Sequence, residues 1–160
     1  EIGSGLVGSE MCIRDRFDPK PMEIYGTDRS GFEILRSYSS NLIETMIQGV
    51  RYVKYLSEFD QMFSGDYPDT PEARKYVQFN RQRHDRQILL NILRLGTEDG
   101  SIRGDIDANM LELTIGNTLL GVAQRILPRE KNYRQEYGYG REILYNVMEL
   151  MLEGVRNKDA

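Results

Sequence analysis

The chain has no tryptophan, one cysteine, one histidine and five prolines among its 160 residues. A lone cysteine, Cys12, excludes an internal disulfide framework. A lone histidine, His84, leaves no partner set for Ser-His-Asp or Cys-His nucleophilic catalysis, and no strained G-x-S-x-G turn accompanies it. Glu-x-x-His pairs are also missing, which argues against a zinc site or a carboxylate di-metal bundle. No run approaches the roughly 18 uninterrupted apolar residues of a membrane-spanning helix, so no membrane partner is expected. Basic residues number 21 against 25 acidic ones, a net charge of −4 spread along the chain. No basic surface for phosphates is laid out by that pattern. The expectation is a globular, cytoplasmic, non-enzymatic protein of one domain, with no catalytic residue, metal or cofactor.

The first sixteen residues, EIGSGLVGSEMCIRDR, share no period with the rest of the chain, and their basic residues come after their apolar ones. That order is the reverse of a secretory signal. Residues 6–16, LVGSEMCIRDR, resemble the in-frame translation of a transposase-type sequencing adaptor. Residues 1–16 are accordingly expected to be a disordered, non-native segment, with a genuine flexible N-terminus as the alternative. Residues 17–160 are then the domain, holding 19 of the 21 basic and 22 of the 25 acidic residues. Cys12 falls outside them, which removes thiol chemistry as well.

Beyond residue 17, glycine and proline sit between periodic segments, as they do in helical chains. Residues 17–29 are irregular. Ser30 suits an N-cap for a helix over about 31–48 with the stripe Leu35, Tyr38, Leu42 and Met46. A second helix over about 50–63 places Val53, Leu56, Phe59 and Phe63 on one face. Thr70-Pro71-Glu72 combines a cap, a first-turn proline and an acid, opening one long helix to about Leu95. The segment GTEDGSIRG lacks both G-x-G-x-x-G and a G-K-[ST] ending, so it reads as a helix-to-helix turn rather than a phosphate loop. Its acids, Glu98 and Asp99, and the following Asp105 and Asp107 are placed to cap and solubilise. Asp105 or Asp107 caps a helix reaching about Leu127, and a last helix spans about 139–156. No stretch alternates with period two. The fold class is all-α, a helical bundle.

Two surfaces stand out. On the penultimate helix Leu111, Ile115, Leu119, Val122 and Ile126 form a stripe, and on the last helix Leu144, Val147, Met148 and Met151 form another. Both are wider than the roughly 100° face that a surface helix needs. They are read as the dimer interface of a four-helix arrangement between two copies, the alternative being two central helices of a monomer. On the long helix, His84 falls in the stripe Val77, His84, Ile88, Ile92 and Leu95. It is either a hydrogen-bonded core histidine or a polar contact inside a ligand cavity. Tyr38, Met46, Phe59, Met62, Phe63 and Phe79, with Ile88, would wall that cavity, and such a lining suits a small hydrophobic ligand.

Three stretches together resemble the C-terminal regulatory domain of the tetracycline-repressor (TetR/AcrR) family of bacterial transcription regulators. They are YLSEFDQMFSGDYP (55–68), LLNILRLGTEDGSIRGDIDANM (89–110) and TLLGVAQRI (118–126), and the likeness covers about residues 30–156. The resemblance implies a ligand-sensing homodimer whose ligand releases operator DNA in the intact regulator. It also implies an N-terminal helix-turn-helix, which residues 17–160 do not contain, so the chain is expected to be a truncated regulator. A stand-alone helical-bundle carrier or enzyme with an apolar cavity is the alternative.

Overall fold

The first turn of α1, Gly31–Gln48, is fixed by a reciprocal cap. Ser30 Oγ accepts from the Glu33 N–H, and the Glu33 carboxylate accepts from the Ser30 N–H at 2.8 Å. In the computed structural model, which describes residues 28–158 together with Gly5, Gly8, Met11 and Cys12, α1 buries Ile34, Leu35, Tyr38, Ile43 and Met46. It packs on most of the other helices. The segment 1–16 expected to be disordered and the irregular stretch 17–27 lie outside the described residues, apart from those four.

Gly49 ends α1 and begins α2, Val50–Met62, whose buried face is Val53, Leu56 and Phe59. Thr70 caps α3, Pro71–Gln82, through the Ala73 N–H at 3.2 Å. The single long helix expected over 70–95 is instead two, because Arg83 adopts an extended backbone (φ −52°, ψ 139°) before α4, His84–Glu98. The Arg81 carbonyl explains the break. It accepts from Arg86 Nη1 at 3.0 Å and Gln87 Nε2 at 3.4 Å, side chains standing in for a continuing helix. Asp107 caps α5, Ala108–Ile126, which runs through a 3-10 turn, Leu127–Arg129, into the short α6, Glu130–Tyr137. Helix α7, Glu142–Val155, closes the bundle. Among the described residues there is no strand, only an isolated bridge between Ile102 and Arg156. The all-helical expectation therefore stands, and α6, which has no buried residue, is an addition to it.

The glycine-rich turn is a junction. Asp99 accepts from the Gly31 N–H at 2.6 Å and Ser101 Oγ from the Phe32 N–H at 3.0 Å, so the turn finishes capping α1. Burial pushes the Asp99 carboxyl up, but hydrogen bonds from Ser101 and the Gly31 N–H outweigh this and hold it below its ordinary value. The same turn receives the end of α7: Arg103 N–H donates to the Val155 carbonyl at 3.0 Å, and Asn157 N–H to the Ser101 carbonyl at 3.1 Å. Beneath it, Gly31 meets the backbone of Gly96 and Gly96 meets Ile102, with no room for a methyl group at either glycine.

Helices α6 and α7 are joined by charge. Glu130 accepts from Arg141 Nε and Nη2, each at 2.8 Å, and from Arg134 Nη2 at 3.1 Å. The Arg141 hydrogen bonds outweigh partial burial and hold the Glu130 carboxyl down at about 2. Because the folded value lies below the unfolded one, this contribution is complete above about pH 4.5 and fades as the pH falls towards 2. Glu130→Gln is therefore expected to destabilise by about 1–2 kcal/mol near neutrality. Melts of the variant and the parent should converge on acidification, and a gap that stayed constant down to about pH 2.5 would refute the assignment.

Candidate functional site

Helices α1 to α5 surround a cavity of about 720 Å³. That lies within the roughly 300–1,000 Å³ usual for small-molecule sites. From α1 come Tyr38, Leu42 and Met46; from α2 come Leu56 and Asp60; Tyr67 enters from the connection to α3. Helix α3 gives Tyr76, Val77, Asn80 and Arg81, and α4 gives Asp85, Arg86 and Leu89 next to Arg83. Helix α5 supplies Glu112, Leu113, Gly116, Asn117 and Leu120. The body of the wall is apolar and aromatic, while its charge stands mostly on α3, on α4 with the adjoining Arg83, and on α5, with Asp60 on α2.

That charge is organised by hydrogen bonds. Arg83 grips Asp85 through Nε and Nη2 at 3.0 and 3.1 Å, spending both side chains on each other. The Tyr38 hydroxyl donates to the Asp85 carbonyl at 3.1 Å, fastening α1 to the start of α4. Arg86 Nε donates to Glu112 Oε2 at 2.7 Å, bridging α4 and α5. The Glu112 side chain is only 7% exposed and that of Arg86 18%, so this ion pair is largely removed from water. Asp60 accepts from Gln124 Nε2 at 3.3 Å, linking α2 to α5.

Of the residues expected to wall a cavity, Tyr38 and Met46 do so. Phe59 and Phe63 stack at 4.7 Å in a separate aromatic cluster with Tyr55 and Met11. Phe59 also meets Tyr76 at 5.9 Å, so this cluster backs the cavity wall without lining it. Met62 is 66% exposed, Phe79 is half-buried off the lining, and Ile88 packs on the main core. His84 is exposed as the first residue of α4. The break at Arg83 cuts Val77 from that stripe and leaves His84 at the open end of α4, whose buried residues begin only at Leu89, with Leu90, Ile92 and Leu93. Sequence reasoning missed Arg86 and Glu112. The available signal was Glu112 itself, the sole charged residue of α5 before Arg125.

The stripes read as a dimer interface also need correction. Leu111, Ile115, Leu119, Ile126, Leu144 and Met148 are buried inside this chain's own core. Val122, Val147 and Met151 pack at the edge of that core and remain partly exposed. The outward apolar flank of α7 is Ile143, Val147, Leu150 and Gly154, with Leu150 68% exposed. The outward face of α5 mixes small and polar residues, among them Thr114, Thr118 and Gly121, with the exposed apolar side chains of Met110 and Leu113.

Among the described residues no group of three or more His, Cys, Asp or Glu is placed to hold a metal ion, and no helix is long and apolar enough to cross a membrane. No family model, curated protein or solved structure matches the chain.

Proposed function

We propose that this chain is the ligand-sensing and dimerisation part of a TetR-type transcriptional regulator, with operator DNA read by a helix-turn-helix domain in the intact protein. The observation that carries this reading is the double use of α5. One side of it, Glu112, Leu113, Gly116, Asn117 and Leu120, walls the cavity. Another, with Thr114, Thr118 and Gly121, lies on the surface, and α5 packs against α7 with its exposed Leu150. A molecule in the cavity thus touches a helix that a second copy would also touch. Ligand can bias such a dimer only through different affinities for its two arrangements, and a shared helix is a direct way to create that difference.

Light scattering of the purified chain tests the reading. A mass near twice the 18.6 kDa of one chain is expected at micromolar concentration. Val147→Glu combined with Leu150→Glu should return a folded monomer, since two carboxylates would be desolvated in the contact. A parent protein that is strictly monomeric would overturn the proposal in favour of a stand-alone carrier, which needs no second copy.

A further inference from the structure

The cavity holds an ion pair that is half made. A guanidinium and a carboxylate that meet side-on close two parallel hydrogen bonds. Arg83 and Asp85 do this. Arg86 and Glu112 close one, Nε to Oε2 at 2.7 Å. Arg86 Nη1 is turned to the Arg81 carbonyl at 3.0 Å. Among the described residues Arg86 Nη2 and Glu112 Oε1 have no hydrogen-bond partner. An open donor and an open acceptor therefore remain on two paired, largely buried side chains that both line the cavity.

We infer that the cavity takes a neutral, mainly apolar molecule carrying an amide-like head, whose carbonyl accepts from Arg86 Nη2 and whose N–H donates to Glu112 Oε1. Amides, lactams and ureas belong to this class. The inference rests on reading the cavity as a ligand site. Charge supports it: Asp60, Asp85 and Glu112 are matched in number by Arg81, Arg83 and Arg86, so an ion of either sign meets no surplus counter-charge. A carboxylate could accept from Arg86 but would confront Glu112 Oε1. An ammonium could donate to Glu112 but would confront Arg86. Each leaves one cavity-facing group against like charge, and a plain hydrocarbon end leaves both unmatched. The rest of the molecule would lie along Leu42, Met46, Leu56 and Leu89.

Calorimetric titration with four probes sharing one tail, octanamide, octanoate, octylamine and octane, reads this directly. Octanamide should bind about tenfold tighter than the other three. In Glu112→Gln the arginine loses its counter-ion, and the preference should move about tenfold towards octanoate. Should that variant fail to fold, the ranking in the parent protein still decides. Octanoate, octylamine or octane binding as well as octanamide would overturn the inference while leaving the cavity a ligand site. Failure of all four to bind at millimolar concentration would overturn both.

Discussion

Gly31→Ala is expected to lower the stability of the domain by about 3 kcal/mol, and Gly96→Ala by about 2 kcal/mol. The obstacles differ, and the difference makes the expectation sharp. A methyl group at residue 31 falls on the backbone N and Cα of Gly96, atoms fixed in the last turns of α4. A methyl group at residue 96 falls on the side chain of Ile102, which is itself buried and tied by its own N–H to the Gly96 carbonyl at 2.8 Å. Ile102→Ala should consequently absorb most of the harm done by Gly96→Ala and almost none of that done by Gly31→Ala. Urea unfolding of the single and double variants measures this as a coupling energy. Gly31→Ala within about 0.5 kcal/mol of the parent would show that the α1–α4 contact is looser than described.

Arg86→Met should destabilise by about 3 kcal/mol, because it leaves the largely buried Glu112 carboxylate without its counter-ion. Replacing both partners, Arg86→Met with Glu112→Leu, should recover much of the loss, since desolvation then falls on neither charge. Breaking a pair is costly even where the intact pair adds little, so single and double variants must be compared by denaturation in one buffer. If the double variant is as unstable as the sum of the two singles, the pair is not acting as a pair.

What the sequence disclosed was mostly local. Ser30 with Glu33, Thr70 with Pro71, and Asp107 announce helix starts because a cap is satisfied within three residues. The apolar stripes of α5 and α7 were equally plain, but periodicity reports only that a face is covered. It does not report by what, and here α1 and the rest of the chain's own core do the covering. The break at Arg83 contains neither glycine nor proline. It depends on side chains reaching back to the Arg81 carbonyl, which propensity does not register. Helix α6, EKNYRQEY, has no apolar face to reveal it and is held by the bonds of Glu130 to Arg134 and Arg141. The cavity's polar end was hidden for a similar reason, since Arg86 gains its meaning only from Glu112, 26 residues away.

The turn that receives Gly31, Phe32 and Asn157 ties the two ends of the segment 31–157 together. In most domains each terminus frays by its own small opening, independent of the other. Here α1 begins on the Asp99 carboxylate and Ser101 Oγ, and the end of α7 is received by the Ser101 carbonyl and the Arg103 N–H of the same turn. Noncovalent bonds thus make a ring of residues 31–157, and fraying at the start of α1 weakens the seat of the end of α7.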